Sequence, residues 1–202
     1  VNEINRKVMA RIGDEDRQTG LRGSAGTLAV SGDVKVVAKD ESTILAVSGG
    51  IAFSLDTSPK GTFTGLAGFA WSHNWLDEEC QVLAKIVGFT VGSDVATPGT
   101  VDVKASSAPS IKTYVIQLGV LASRGGVVDA NITGAISKNQ IDGSDSGNVT
   151  AGIQNSVVDA LDSVNVCADD ESAIHATIWA AGLTVSADLF ELHVGINYGE
   201  NE

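Results

Sequence analysis

The chain has 202 residues, enough for one or two globular domains, and 25 acidic against 13 basic side chains give a net charge of −12. That balance excludes a surface built to neutralise nucleic-acid phosphates or to adsorb to anionic lipid. An apolar content of 43% excludes a disordered chain, and 23 glycines with 3 prolines favour an all-β chain of small residues and turns.

Taken in order, the chain opens with Asn2-Glu3-Ile4, a polar turn, and Val8-x-Ala10-x-Ile12. The same element returns as Asn74-Trp75-Leu76 leading to Val82-x-Ala84-x-Ile86, and as Asn139-Gln140-Ile141 leading to Val149-x-Ala151-x-Ile153. Its last appearance is expected at Asn197. A polar, glycine-bearing connection over 13–32 follows the first copy, with only 27–30 resembling a strand, and the later connections are shorter. Length variation between fixed strands is the mark of loops on a repeat framework. No basic-then-apolar leader precedes Val1, where the repeat is already under way, so any secretion signal is expected upstream.

The next element is the strongest signal. Val34-Lys35-Val36-Val37-Ala38 leads to Ile44, Val101-Asp102-Val103-Lys104-Ala105 to Ile111, and Val164-Asn165-Val166-Cys167-Ala168 to Ile174, the same V-x-V-x-A-x5-I each time. Period-2 apolar alternation over this length is a half-buried strand, and threefold recurrence identifies a repeat protein. A polar corner follows each copy, with Asp40-Glu41-Ser42 and Asp170-Glu171-Ser172 sharing letters. Long apolar runs come next, 44–55, 111–122 and 174–185, apolar on both phases and therefore expected to be buried on both faces. Each run returns through a turn into a second strand, around 66–72, 132–137 and 189–196.

These elements predict a single segment over 1–202, with units of 1–33 (partial), 34–100, 101–163 and 164–202 (partial). The expected fold is a right-handed parallel β-helix of about three repeats of roughly 65 residues, each divided into two or three rungs. Stacking places Val on Val and Ala on Ala, and each coil covers the apolar face its neighbour cannot cover alone. The competing arrangement is a long hairpin of apolar run and return strand, with mixed parallel and antiparallel pairing.

The pieces VNEINRKVMARI, GDVKVVAKDESTI, SKNQIDGSDSGNVTAGI and VNVCADDESAI resemble the repeats of giant secreted bacterial exoproteins, the filamentous-haemagglutinin-like and leukotoxin-type adhesins. The resemblance spans essentially the whole chain and rests on strand-and-turn pattern. It implies secretion to the cell surface, a β-helical shaft, and a role in adhesion, biofilm or host-cell contact. The extended loop over 13–32 and the aromatics Phe69, Trp71 and Trp75 depart from a plain shaft and suggest a self-associating variant.

No catalytic, cofactor or metal site is expected, and no membrane insertion. His73, His175 and His193 lie beside no G-x-S-x-G elbow, and the outward positions Lys35, Asp102, Asn165 and Lys39, Ser106, Asp169 keep no carboxylate ladder. A polysaccharide-binding or polysaccharide-cleaving β-helix is the alternative, since that fold hosts such chemistry. The stretch 142–148, DGSDSGN, carries oxygen ligands at Ca²⁺-like spacing but no closing Glu, and reads as a turn. Asn131 and Asn148 head sequons expected to be unused, and Cys80 and Cys167 lack metal-site spacing, their pairing being left open. Phe53, Phe69, Trp71, Trp75, Tyr114, Trp179 and Phe190 gather around the apolar runs, where core packing is the first expectation and contact with another copy the second. The expected partners are further coils or copies stacked end to end, with a glycan or cell-surface ligand as the alternative.

Overall fold

The computed structural model describes residues 1–13, 26–57, 63–76, 81–124, 128–141, 149–186 and 191–202. In chain order the strands are β1 (Asn2–Ile4), β2 (Lys7–Gly13), β3 (Gly26–Leu28), β4 (Val34–Asp40), β5 (Thr43–Asp56), β6 (Phe63–Leu76), β7 (Gln81–Val87), β8 (Phe89–Val91) and β9 (Thr100–Ser107). They continue as β10 (Ser110–Ser123), β11 (Val128–Ile141), β12 (Val149–Gln154), β13 (Val157–Val158), β14 (Ser163–Asp170), β15 (Ala173–Val185) and β16 (Glu191–Asn201). Among the described residues these strands form five sheets, ordered β1-β6-β11-β16, β15-β10-β5, β12-β7-β2, β13-β8-β3 and β14-β9-β4. Every pairing within them is parallel.

Within the described residues, each strand pairs with its equivalent one period away. Side-chain contacts across neighbouring strands, such as Thr43 with Ser110 and Asn165 with Asp102, join residues 67 and 63 positions apart. A whole period therefore makes one coil, not the two or three rungs its length suggested. The long strands lengthen the coil's perimeter until the period is used up. The hairpin arrangement is overturned as well: β5 and β6 lie in different sheets and face each other across the interior, where Thr64 donates to Asp56 at 2.6 Å.

Three short-stranded sheets, β2-β7-β12, β3-β8-β13 and β4-β9-β14, enclose one core. Register stacks Val8 on Val82 and Val149, Ala10 on Ala84 and Ala151, and Ile12 on Ile86 and Ile153. Val36, Val103 and Val166 form a further column. Alternation of inward apolar and outward polar residues sets the strand phase, because a slip of one residue would turn every Val and Ala to solvent. At the last residue of β2, Gly13 takes φ +93° and its missing Cβ would overlap the Val87 carbonyl oxygen, so only glycine fits.

The remaining two sheets face each other as a two-layered blade. At its root Ile44, Ile111 and Leu76 pack together. The next layer is polar: Asn2 donates to Asn74 at 2.8 Å, Asn74 to Asn139 at 2.7 Å, and Asn139 to Asn201 at 3.0 Å. Thr113 reaches the same ladder from the opposite sheet, donating to Asn139 Oδ1 at 2.7 Å. The fourth member is Asn201, not Asn197, whose ladder neighbour is Ala135. Ala70, Val115 and Ala135 form the following apolar layer. Further out, Ser123 donates to buried Asp129 at 2.5 Å, and Ser186 pairs with Glu191.

The long apolar runs are not buried on both faces. Thr113, Val115 and Leu121 point inward and are buried, while Tyr114 and Ile116, from the opposite phase of β10, are exposed. A parallel sheet usually has cover on both sides. Here each long sheet has the opposite layer of the blade inside and, in the isolated chain, solvent outside.

Candidate functional site

The three histidines do not converge. His73 lies on the outer phase of β6, His175 on the outer phase of β15, and His193 in the inward column of β16, with its Nε2 4.0 Å from Glu191. Among the described residues no group of three or more His, Cys, Asp or Glu side chains is arranged to hold a metal ion. The Asp-Glu-Ser corners are turn devices: Asp40 Oδ1 accepts the Ser42 amide at 2.7 Å, and Asp170 Oδ1 accepts the Ser172 amide at 3.1 Å. Arg6 pairs with Asp40 from the neighbouring edge. Asn131 is buried and donates to the Gly119 and Leu183 carbonyls, so its sequon is closed to modification in the folded chain. Cys80, Asn148, Phe190 and the stretch 142–148 lie outside the described residues.

The outer face of the β4-β9-β14 sheet carries the rows the sequence phase anticipates. Lys35, Asp102 and Asn165 are ladder neighbours, as are Lys39, Ser106 and Asp169. Asn165 donates to Asp102 at 2.7 Å, and Lys104 lies 3.2 Å from Asp169. Cys167 is a free, exposed thiol that donates to Asp169, 3.3 Å from each carboxylate oxygen. That hydrogen bond is the main reason the thiol titrates above its ordinary value, with burial and the Asp169 charge adding to it. Asp169 is in turn held below the usual carboxylate range, first by the thiol and then by Lys104. A thiol kept protonated is a poor nucleophile. Asp169→Ala is expected to raise the alkylation rate of Cys167 at pH 8 several-fold, measured with iodoacetamide on the folded chain.

A second, half-buried cluster joins Lys138 to Glu200 at 3.2 Å, with the Tyr198 hydroxyl donating to Glu200 at 3.1 Å. Glu200 is lowered chiefly by the Lys138 hydrogen bond, and Lys138 is raised chiefly by the same contact. The lowered carboxylate stabilises the fold above the ordinary Glu value, and this is lost as pH falls through the folded value. The raised amine stabilises it below the ordinary Lys value, and this is lost as pH rises through its folded value. Lys138→Met is expected to flatten both limbs of the stability–pH curve slightly, as read from urea midpoints, because the pair is half-open to solvent and screened by it.

The aromatics are the main departure from sequence expectation. Phe53, Phe69, Tyr114 and Trp179 are exposed, Trp71 is 71% exposed, and Trp75 is half-buried. They lie on the outside of the blade, not in a core. Phe69 covers Gly134 on the adjacent strand, where a Cβ would meet its ring. On the β5-β10-β15 sheet the outward positions are apolar over most of their length, with Leu45, Val47, Ile51, Phe53 and Leu55 exposed on β5 alone. Sequence phase identifies which residues share a face, but not whether that face is covered.

No family model, curated protein or solved structure matches the chain.

Proposed function

We propose that the chain is a stretch of right-handed parallel β-solenoid, about three coils of roughly 65 residues each, whose work is structural and adhesive and not catalytic. On this reading it is an extracellular shaft segment of a bacterial surface adhesin, or a subunit of a fibre, as the resemblance to filamentous-haemagglutinin-like and leukotoxin-type repeats implies. The observation that supports it is the continuity of columns from coil to coil together with their condition at β14. Val164 and Val166 are 44% and 49% exposed, whereas their ladder neighbours Val101 and Val103 are 0% and 1% exposed. One more coil in register would cover both valines and pair the free edge of β14, which otherwise invites strand addition. That coil comes from adjoining repeats of a longer chain or from another subunit, and a heterologous contact that does not close builds a filament.

Light scattering of the 202-residue chain tests this. Species that lengthen with concentration, and shorten with Val166→Lys, are the expected result. A monodisperse monomer whose β14 amides are protected from hydrogen exchange would mean the edge is already capped and would end the stacking reading. Turnover of a polysaccharide by the purified chain would replace it with the enzymatic alternative.

A further inference from the structure

We propose that the outer face of the β5-β10-β15 sheet is the contact surface of a face-to-face pair of chains, independent of any coil added at the ends. Three observations converge on it. First, the face has almost no charge. Lys112 and His175 sit side by side on adjacent strands at the blade's root, and beyond them no outward position of the three strands is charged. In a chain with net charge −12, this is a surface on which two copies meet without bringing carboxylates together.

Second, the exposed side chains of this face, Ile51, Phe53, Trp179 and Leu183 among them, present on the order of 1,000 Å² of mainly apolar surface. That exceeds the roughly 300–600 Å² of the largest patch on a typical monomer. It is comparable to the about 800 Å² per partner of a standard stable interface. Third, the alternative apolar occupant, a lipid bilayer, is opposed by the backbone. Among the described residues β5 and β15 are the sheet's edge strands, and hydrocarbon tolerates no open edge. Against a second sheet about 10 Å away the edges stay in water. A two-fold axis along the direction of coil stacking lays Lys112 and His175 of one copy over the Leu55 and Val185 end of the other, keeping the like charges apart.

The experiment is sedimentation equilibrium on the whole chain, with circular dichroism confirming the fold of each variant. A two-chain mass is expected for Val166→Lys, whose end-to-end growth is blocked, and a mass of two chains or more for the unaltered protein. Phe53→Glu with Leu183→Glu, both at exposed positions, is expected to weaken the pair about a hundredfold, because two desolvated charges face an apolar partner surface. Trp71→Glu, on the opposite outer face of the blade, leaves the pair intact. Val166→Lys does too, so loss of end-to-end growth is read separately. A monomeric mass for the unaltered chain, or a pair indifferent to Phe53→Glu/Leu183→Glu, overturns the proposal. So does flotation with phosphatidylcholine vesicles that the double substitution abolishes, which would identify lipid as the occupant.

Discussion

Asn74→Ala is expected to lower the free energy of unfolding by about 2–4 kcal/mol, the larger part of it from polar groups left unpaired in the interior. The Asn74 amide donates to Asn139 Oδ1 at 2.7 Å, has Thr113 Oγ1 and Ser72 Oγ within 2.8 and 3.1 Å, and accepts from Asn2 at 2.8 Å. Asn74 is wholly buried, so no water replaces those contacts without rearrangement. The cost exceeds that of one surface hydrogen bond because the ladder is shared: the two inner amides, Asn74 and Asn139, both donate up the stack and accept from below. Asn2→Ala, at an exposed position of the same ladder, is expected to cost less than about 1 kcal/mol. Asn74→Asp keeps the shape but removes the donor and buries a charge. Its penalty should therefore be at least as large at pH 7 and shrink as the pH is lowered and the carboxyl regains a proton. Urea unfolding of the three variants checks the ranking. Equal midpoints for Asn74→Ala and Asn2→Ala would show that the ladder is not cooperative.

The same ladder shows what the sequence could convey. Asn2, Asn74 and Asn139 are visible as N-x-[I/L] before the first strand is placed, since a polar residue at one fixed offset in each period needs a common partner. Asn201 is missed because its flanking residues differ, and only the ladder with Asn139 selects it over Asn197. The V-x-V-x-A columns are legible for a similar reason. Period-2 alternation gives the phase, recurrence gives the register, and Val36, Val103 and Val166 meet as a consequence.

Coil length and surface exposure were not legible. A period of this size suggests several rungs, because strands of ordinary length do not fill it, and β5, β10 and β11 are 14 residues each. The runs on β5, β10 and β15 are apolar on both phases, and local pattern cannot tell cover supplied within the chain from cover supplied outside it. Tyr114 and Thr113 show the difficulty: the aromatic faces outward and the hydroxyl is buried against Asn139. Hydropathy alone would assign them the other way. The blade's interior is held partly by hydrogen bonds, and part of its apolar surface is turned outward. That inversion is the feature that directs attention to the outer sheet face and away from any cleft.

Two isoleucines separate these cases most sharply. Ile86 is 0% exposed between Ile12 and Ile153 in the core of the short-stranded sheets, and Ile51 is 76% exposed on the outer face of β5. Ile86→Ala is expected to cost about 2–5 kcal/mol, combining lost transfer free energy with a cavity that parallel neighbours above and below cannot collapse to fill. Collapse is hindered because shifting β7 would break its ladders to β2 and β12 together. Ile51→Ala is expected to change the stability of the isolated chain by no more than about 0.5 kcal/mol, as for other surface changes. The contrast is best measured by chemical denaturation at low and high protein concentration. At low concentration the two variants should differ by the full amount. At high concentration Ile51→Ala should acquire a penalty of its own, since a residue buried only between chains stabilises only the associated form. A concentration-independent cost for Ile51→Ala would place its cover within one chain, contrary to the exposed outer face of β5.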